Sequence, residues 1–187
     1  MKRGLAICLA VAVLLLGCSN QNDHLQRGMA LRERLLQGSG CSFTAHVTAD
    51  YGDKTYTFVM ECKTSKDGSM HFSVSQPESI SGITGEISGA GGRLTFDDKA
   101  IAFELLADGE VSPISAPWLL IRTLQGGYLS SCGMDGNDLR LTIDDSYEED
   151  ALQLDIWLDS SDLPKRAEIL WQGRRTLTVV VEDFSFV

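Results

Sequence analysis

The strongest constraint on this 187-residue chain is the period of its apolar residues, which from position 43 onward is two. Phe43, Ala45 and Val47 alternate with Ser42, Thr44, His46 and Thr48, and Tyr56, Phe58 and Met60 alternate with Thr55, Thr57 and Glu61. Successive side chains of a β-strand point to opposite faces, so each segment reads as a strand with one apolar and one polar face. The same period recurs at Met70–Val74, Ile83–Ser88, Leu94–Phe96, Ile101–Leu105, Leu139–Ile143, Leu152–Leu158, Lys165–Trp171 and Leu177–Phe186. Turn signals rich in glycine and aspartate separate them: Lys66-Asp67-Gly68, Gly89-Ala90-Gly91-Gly92, Asp97-Asp98-Lys99 and Asp108-Gly109. Sequential hairpins of this kind imply an antiparallel meander of about ten strands.

Two stretches break the rhythm. From His24 to Gln37, Leu25, Met29, Arg32, Leu35 and Leu36 have helical spacing, with Asp23 as a cap and Gly38 and Gly40 as the stop. Ser115 to Gly127 has a proline near its start and glycines at its end, the punctuation of a short helix. About ten strands at about 4.8 Å spacing make a sheet about 48 Å wide, whose apolar face two helices about 10 Å across cannot cover. The sheet must therefore curl into a partly closed barrel with the helices in its mouth. If they fill it incompletely, an apolar pocket remains.

Register can be read at two hairpins. A turn at Tyr51-Gly52 sets Val47 opposite Tyr56, Ala45 opposite Phe58, Phe43 opposite Met60, and Cys41 opposite Cys62. A Cys41–Cys62 disulfide is then expected if the compartment is oxidising, although Cys132 allows two other single bridges. A three-residue loop at Gln172-Gly173-Arg174 puts Trp171 opposite Arg175, Ile169 opposite Leu177 and Ala167 opposite Val179.

The chain opens with Lys2 and Arg3, an apolar run from Leu5 to Leu16, then Gly17 and Cys18. That is the layout of a secretory signal peptide, and the run is shorter than the roughly 20 residues a spanning helix needs. Leu15-Leu16-Gly17-Cys18 resembles the lipobox of bacterial lipoproteins, in which the cysteine thiol is lipidated and the chain is cut before it. The expected organisation is signal peptide 1–17, lipidated tether 18–23 and one domain 24–187. Formal charge is −10, and loss of Lys2 and Arg3 takes it to −12, which argues against nucleic acid or anionic lipid headgroups as electrostatic partners. The anchor implies the extracytoplasmic face of the cell membrane, or the outer membrane in a diderm host.

Within the domain, the N-terminal helix, the long meander, the Pro117-Trp118 helix after Ser112-Pro113, and the closing hairpin resemble the LolA/LolB superfamily of bacterial lipoproteins and carriers. That hairpin reads Leu163-Pro164-Lys165…Trp171-Gln172-Gly173-Arg174…Asp183-Phe184. The layout is also similar to clostridial sporulation and germination lipoproteins. The resemblance implies a mainly β (α+β) fold, an unclosed antiparallel half-barrel with both helices over its concave face. It further implies an apolar cavity for a lipid or acyl chain, lined here by Phe43, Phe58, Phe72, Phe96, Phe103, Trp118, Leu119 and Ile121. The sequence departs from LolB in showing no protruding loop with an apolar tip.

Catalytic signatures are missing from the sequence. His46 and His71 fall on polar strand faces, and no Gly-x-Ser-x-Gly elbow, Cys-x-x-Cys pair, His-Glu-x-x-His or Walker loop occurs. Gly89 to Gly92 joins two strands instead of opening a helix, and the acidic run Asp144 to Asp150 lacks the alternation of a calcium loop. No metal, cofactor or enzymatic activity is expected. Two functions fit: a carrier or acceptor of lipid or acylated ligand, and a scaffold binding an envelope or sporulation enzyme.

Overall fold

The computed structural model describes residues 22–107, 110–147 and 152–187, so Cys18, the signal peptide and Glu148-Glu149-Asp150 lie outside the described residues. Helix α1 covers residues 22–37 and stops where Gly38 N donates to Arg34 O. Six strands follow: β1 (Cys41–Asp50), β2 (Thr55–Thr64), β3 (Met70–Gln76), β4 (Thr84–Ser88), β5 (Gly91–Phe96) and β6 (Lys99–Phe103). A short hairpin of β7 (Leu106–Ala107) and β8 (Glu110–Val111) leads through a 3₁₀ turn, Pro113–Ser115, into α2 (Ala116–Gly126). Five strands complete the chain: β9 (Tyr128–Asp135), β10 (Asp138–Asp144), β11 (Gln153–Leu158), β12 (Pro164–Trp171) and β13 (Arg174–Phe186).

Eleven strands form one antiparallel sheet in the order β6-β5-β4-β3-β2-β1-β13-β12-β11-β10-β9. The sheet is not closed, because β6 and β9 remain its two edges. The single meander expected from sequence is in fact two, joined by β1 against β13 in the middle. Ala45 faces Val181 and Val47 faces Val179, so the apolar faces of both meanders merge into one.

The hairpin registers differ from the sequence reading in instructive ways. Between β1 and β2 the loop is four residues, because Asp50 Oδ1 accepts from Gly52 N at 2.8 Å and Tyr51 N donates to Lys54 O at 3.0 Å. The pairing moves by two, placing Val47 opposite Phe58 and Phe43 opposite Cys62. A shift of two keeps every side chain on its face, so the apolar match survives while the cysteine match does not. Cys41 sits instead against Thr64, whose Oγ1 lies 2.8 Å from its N and 3.3 Å from its Sγ, and both thiols are free. Cys132 lies on edge strand β9, separated from β1 in the sheet by β13, β12, β11 and β10.

At the last hairpin Ile169 faces Leu177 and Ala167 faces Val179 as expected, but Trp171 pairs with Arg174. Gln172 and Gly173 make a two-residue turn with φ of 50° and 72°, the left-handed pair that matches strand twist. The residue this shorter turn leaves over is Thr176, taken up in a bulge. Thr176 is buried and its hydroxyl has no hydrogen-bond partner among the described residues.

The core is the concave face of β1–β3 and β10–β13 under the two helices. Eight of the eleven residues of α2 are buried, so it is a plug and not an amphipathic cover. Helix α1 lies across the C-terminal half: a Cβ at Gly28 would stand 3.1 Å from Leu141, and Leu31 and Leu35 complete the contact. Arg32 Nε and Nη2 donate to Leu124 O and Gly127 O, each at 2.7 Å. These carbonyls belong to the C-terminal turn of α2, where a cation also meets the negative end of the helix dipole.

Two outcomes follow. Thr176→Val removes a buried hydroxyl with no hydrogen-bond partner among the described residues, and should raise stability by about 1 kcal/mol, read from the urea midpoint. Burial pushes the Cys41 and Cys62 thiols above their ordinary range. The unfolded chain ionises both above about pH 9 while the fold holds them neutral, so their contribution to stability is full below that pH and lost as pH rises past it. Alkylation of the unreduced protein should therefore reach both thiols only on unfolding; a peptide linking 41 to 62 would mean a register two residues away.

Candidate functional site

On the N-terminal half the strand registers line up two inward-facing rows. One runs Cys62, Phe72, Gly85, Leu94, Ile101, and the other Thr64, Met70, Ile87, Gly92, Phe103. Cys62, Phe72, Met70 and Ile87 are buried, Leu94 and Phe103 are half-buried, and Ile101 is 63 % exposed. Phe96, two residues beyond Leu94 on the same face, is 50 % exposed. The apolar alternation thus continues to the edge of the sheet after its cover has ended. Helix α2 packs on β1, β10, β12 and β13, and the wing of β5 and β6 projects past it.

Glycine sets the relief of this shelf. A Cβ at Gly85 would stand 2.5 Å from the Phe72 ring and one at Gly92 would stand 2.0 Å from the Phe103 ring. Each ring therefore occupies the space above its cross-strand glycine and leans onto the sheet. The result is a low apolar floor bounded by Leu94, Phe96 and Ile101.

The eight residues expected to line a cavity divide into two sets. Phe43, Phe72, Trp118, Leu119 and Ile121 are buried in the continuous core, Phe58 is packed against it, and Phe43 stacks on Phe184 at 5.8 Å between centroids. Phe103 on β6 is half-buried and packs against the edge of the core, and Phe96 at the end of β5 is exposed. What stays open beside α2 is a recess of about 230 Å³, lined by two of the expected residues, Trp118 and Ile121, and by Thr64, Asp67, Gly89 and Arg122. Trp118 Nε1 donates to Gly68 O at 2.9 Å, and the Arg122 guanidinium lies 5.0 Å from the Trp118 ring centroid. The Ser69 amide and hydroxyl hold the Asp67 carboxyl below the usual range. Larger recesses of about 570 and 360 Å³ share Glu86 and Arg93 along the same wing.

Leu94 and Ile101 were not singled out in the sequence reading, although the alternation included both. The signal that could have found them is the Asp97-Asp98 turn, whose φ values of 49° and 59° fix the β5–β6 register. His46 lies on the convex face of β1 with Nε2 3.0 Å from Glu182 Oε2, and His71 lies on the convex face of β3. Asp144 and Asp145 are tied to Gln153 Nε2 and Leu152 N, the connection between two strands that their spacing suggested. Among the described residues no group of three or more metal-ligating side chains gathers, and no helix is long and apolar enough to cross a membrane.

No family model matches the sequence and no curated protein matches it. Among solved structures the chain is similar to a LolA superfamily protein from Nitrosomonas europaea, with 10 % identity, TM-score 0.41, and coverage of 88 % of this chain and 91 % of that one. It is similar to the lipoprotein LppX of Mycobacterium tuberculosis, with 10 % identity, TM-score 0.42, and coverage of 87 % and 93 %. It is also similar to a chain in the structure of the Clostridioides difficile CwlD amidase with the GerS lipoprotein, with 15 % identity, TM-score 0.43, and coverage of 85 % and 93 %.

The uneven cover has a direct consequence for stability. Phe96→Ser and Ile101→Ser should each change the unfolding free energy by no more than about 0.5 kcal/mol. Phe72→Ala, in the same rows but buried, should cost about 3–5 kcal/mol; urea titration of the three variants measures the contrast.

Proposed function

We propose that the protein is a non-catalytic, membrane-tethered lipoprotein of the cell envelope that receives an acyl chain of a lipid or acylated ligand on the shelf of β4–β6. The observation that carries this reading is the exposure of Ile101, at the end of a row that begins in the core at Cys62 and Phe72, and of Phe96 beside it on the same face. A contiguous apolar surface left open to water on a folded chain marks a binding site. A polar end lies close by. The recess beside α2 includes Thr64, which heads the row ending at Phe103, and Gly89, from the turn that leaves β4. Arg122 there has no carboxylate partner among the described residues, so an acidic headgroup would meet a cation while its chain lies along Ile87, Leu94 and Ile101.

The tether is the second part of the proposal. A diacylglyceryl group on Cys18 holds firmly because each buried methylene contributes about 0.8 kcal/mol, and two or more chains exceed what one can do. The acidic domain then stands on the extracytoplasmic side, where its charge makes no demand for nucleic acid.

Native mass spectrometry of the protein made without its anchor should show retained acyl ligand. A dansyl fatty acid should bind the same protein, with affinity reduced about tenfold or more by Ile101→Glu, since burying one such side chain is worth about 1.5–3 kcal/mol. Protein that carries no acyl ligand and binds no probe sinks the carrier reading. The backbone edge of β6 beside the shelf supports a second reading, a scaffold that accepts a strand from an envelope enzyme. Pull-down from the envelope that yields a stoichiometric protein and no lipid would favour it.

A further inference from the structure

Helix α1 carries two apolar stripes, and the fold uses one. Gly28, Leu31 and Leu35 face the sheet and are buried. Leu25, Met29 and Leu36 are 42 %, 44 % and 59 % exposed. At 100° per residue these three lie within about 40° of a single line along the helix, roughly a quarter turn from the buried stripe. Three large apolar groups in line on one helix form a face that water does not favour.

The chain ahead of the helix says what covers that face. Cys18 precedes Leu25 by seven residues, and seven residues span at most about 25 Å whatever their path. On the reading that Cys18 carries the lipid anchor, the head of the stripe is thus confined to within about 25 Å of a bilayer surface. Charge does not oppose the contact and does not drive it: α1 has Arg27, Arg32 and Arg34 against Asp23 and Glu33, but Arg27 pairs with Asp162 and Arg32 holds the α2 carbonyls, so the attraction to the bilayer is apolar.

We infer that α1 rests on the bilayer surface through Leu25, Met29 and Leu36. Anchor and helix then hold the half-barrel at two points, with the sheet standing beside α1 and roughly edge-on to the bilayer, because the stripe lies about a quarter turn from the face that packs on the sheet. The inference rests on the lipidation of Cys18 and deepens the proposed function by giving the shelf an orientation.

The test uses the mature lipidated protein in vesicles of phosphatidylethanolamine and phosphatidylglycerol. An environment-sensitive NBD label is placed at Met29→Cys or Leu36→Cys in a Cys132→Ser background, with Thr57→Cys on the convex face of β2 as control. Positions 29 and 36 should show a blue shift on vesicles and quenching by brominated lipid, and position 57 neither. Lipidated protein with no shift at 29 and 36 overturns the inference and leaves the anchor standing. So does a shift that appears without vesicles as protein concentration rises, which would mean that a second copy covers the stripe, or one that needs an envelope protein. The mass of the N-terminal peptide reports separately on Cys18: an unmodified cysteine removes the premise itself.

Discussion

The pairing of the first strand with the last is the interaction on which the rest of the structure depends. β1 and β13 meet in the middle of the sheet, with Val47 facing Val179 and Ala49 facing Leu177. Each half is a run of local hairpins that could register on its own, but neither half alone encloses a core. Bringing the two ends together closes a loop of nearly the whole domain, whose entropy grows only slowly with length. The return is a continuous concave face, in which Ala45, Val47, Val179 and Leu177 are almost wholly buried because strands flank them on both sides.

That central seam also decides where the sheet ends. With β1 and β13 in the middle, the outermost strands are β6 and β9, and the connection between them must cross the open side of the half-barrel. α2 is part of that crossing, which explains why it is buried on nearly every side and why it covers the central strands but not the wings. Arg32 from α1 secures the crossing by holding the last carbonyls of α2, at the cost of desolvating its own guanidinium, whose pKa is lowered by burial. Sheet curvature and plug together fill the middle of the concavity. The apolar surface that remains is displaced to the β4–β6 wing, where Phe72 and Phe103 lean over Gly85 and Gly92.

The two faces of the sheet are built on different physics. The concave face is held by apolar packing; the convex face of the C-terminal half is held by charge. There the buried Asp155 accepts from Arg140 at 2.6 Å and from Thr142 at 2.7 Å, while the Trp157 ring has the guanidinium groups of Arg140 and Arg166 within 5.3 and 4.7 Å of its centroid.

The sequence by itself determined which residues face inward, where most turns fall, that two helices interrupt a long antiparallel sheet, and that the sheet must curl. Those properties follow from a period of two and from glycine and aspartate at turns, both of which are local. Even the misread β1–β2 loop kept its faces, because an error of two residues is invisible to alternation. The same blindness made Cys41 and Cys62 look like partners, when an Asp50 side chain closing a longer loop sets Cys41 against Thr64. Only the tertiary structure decided that β1 and β13 join, that α2 is buried over the central strands, and that Phe96 and Ile101 are left exposed. Alternation states that a residue faces inward; whether anything lies there to meet it depends on where segments distant in the chain are packed.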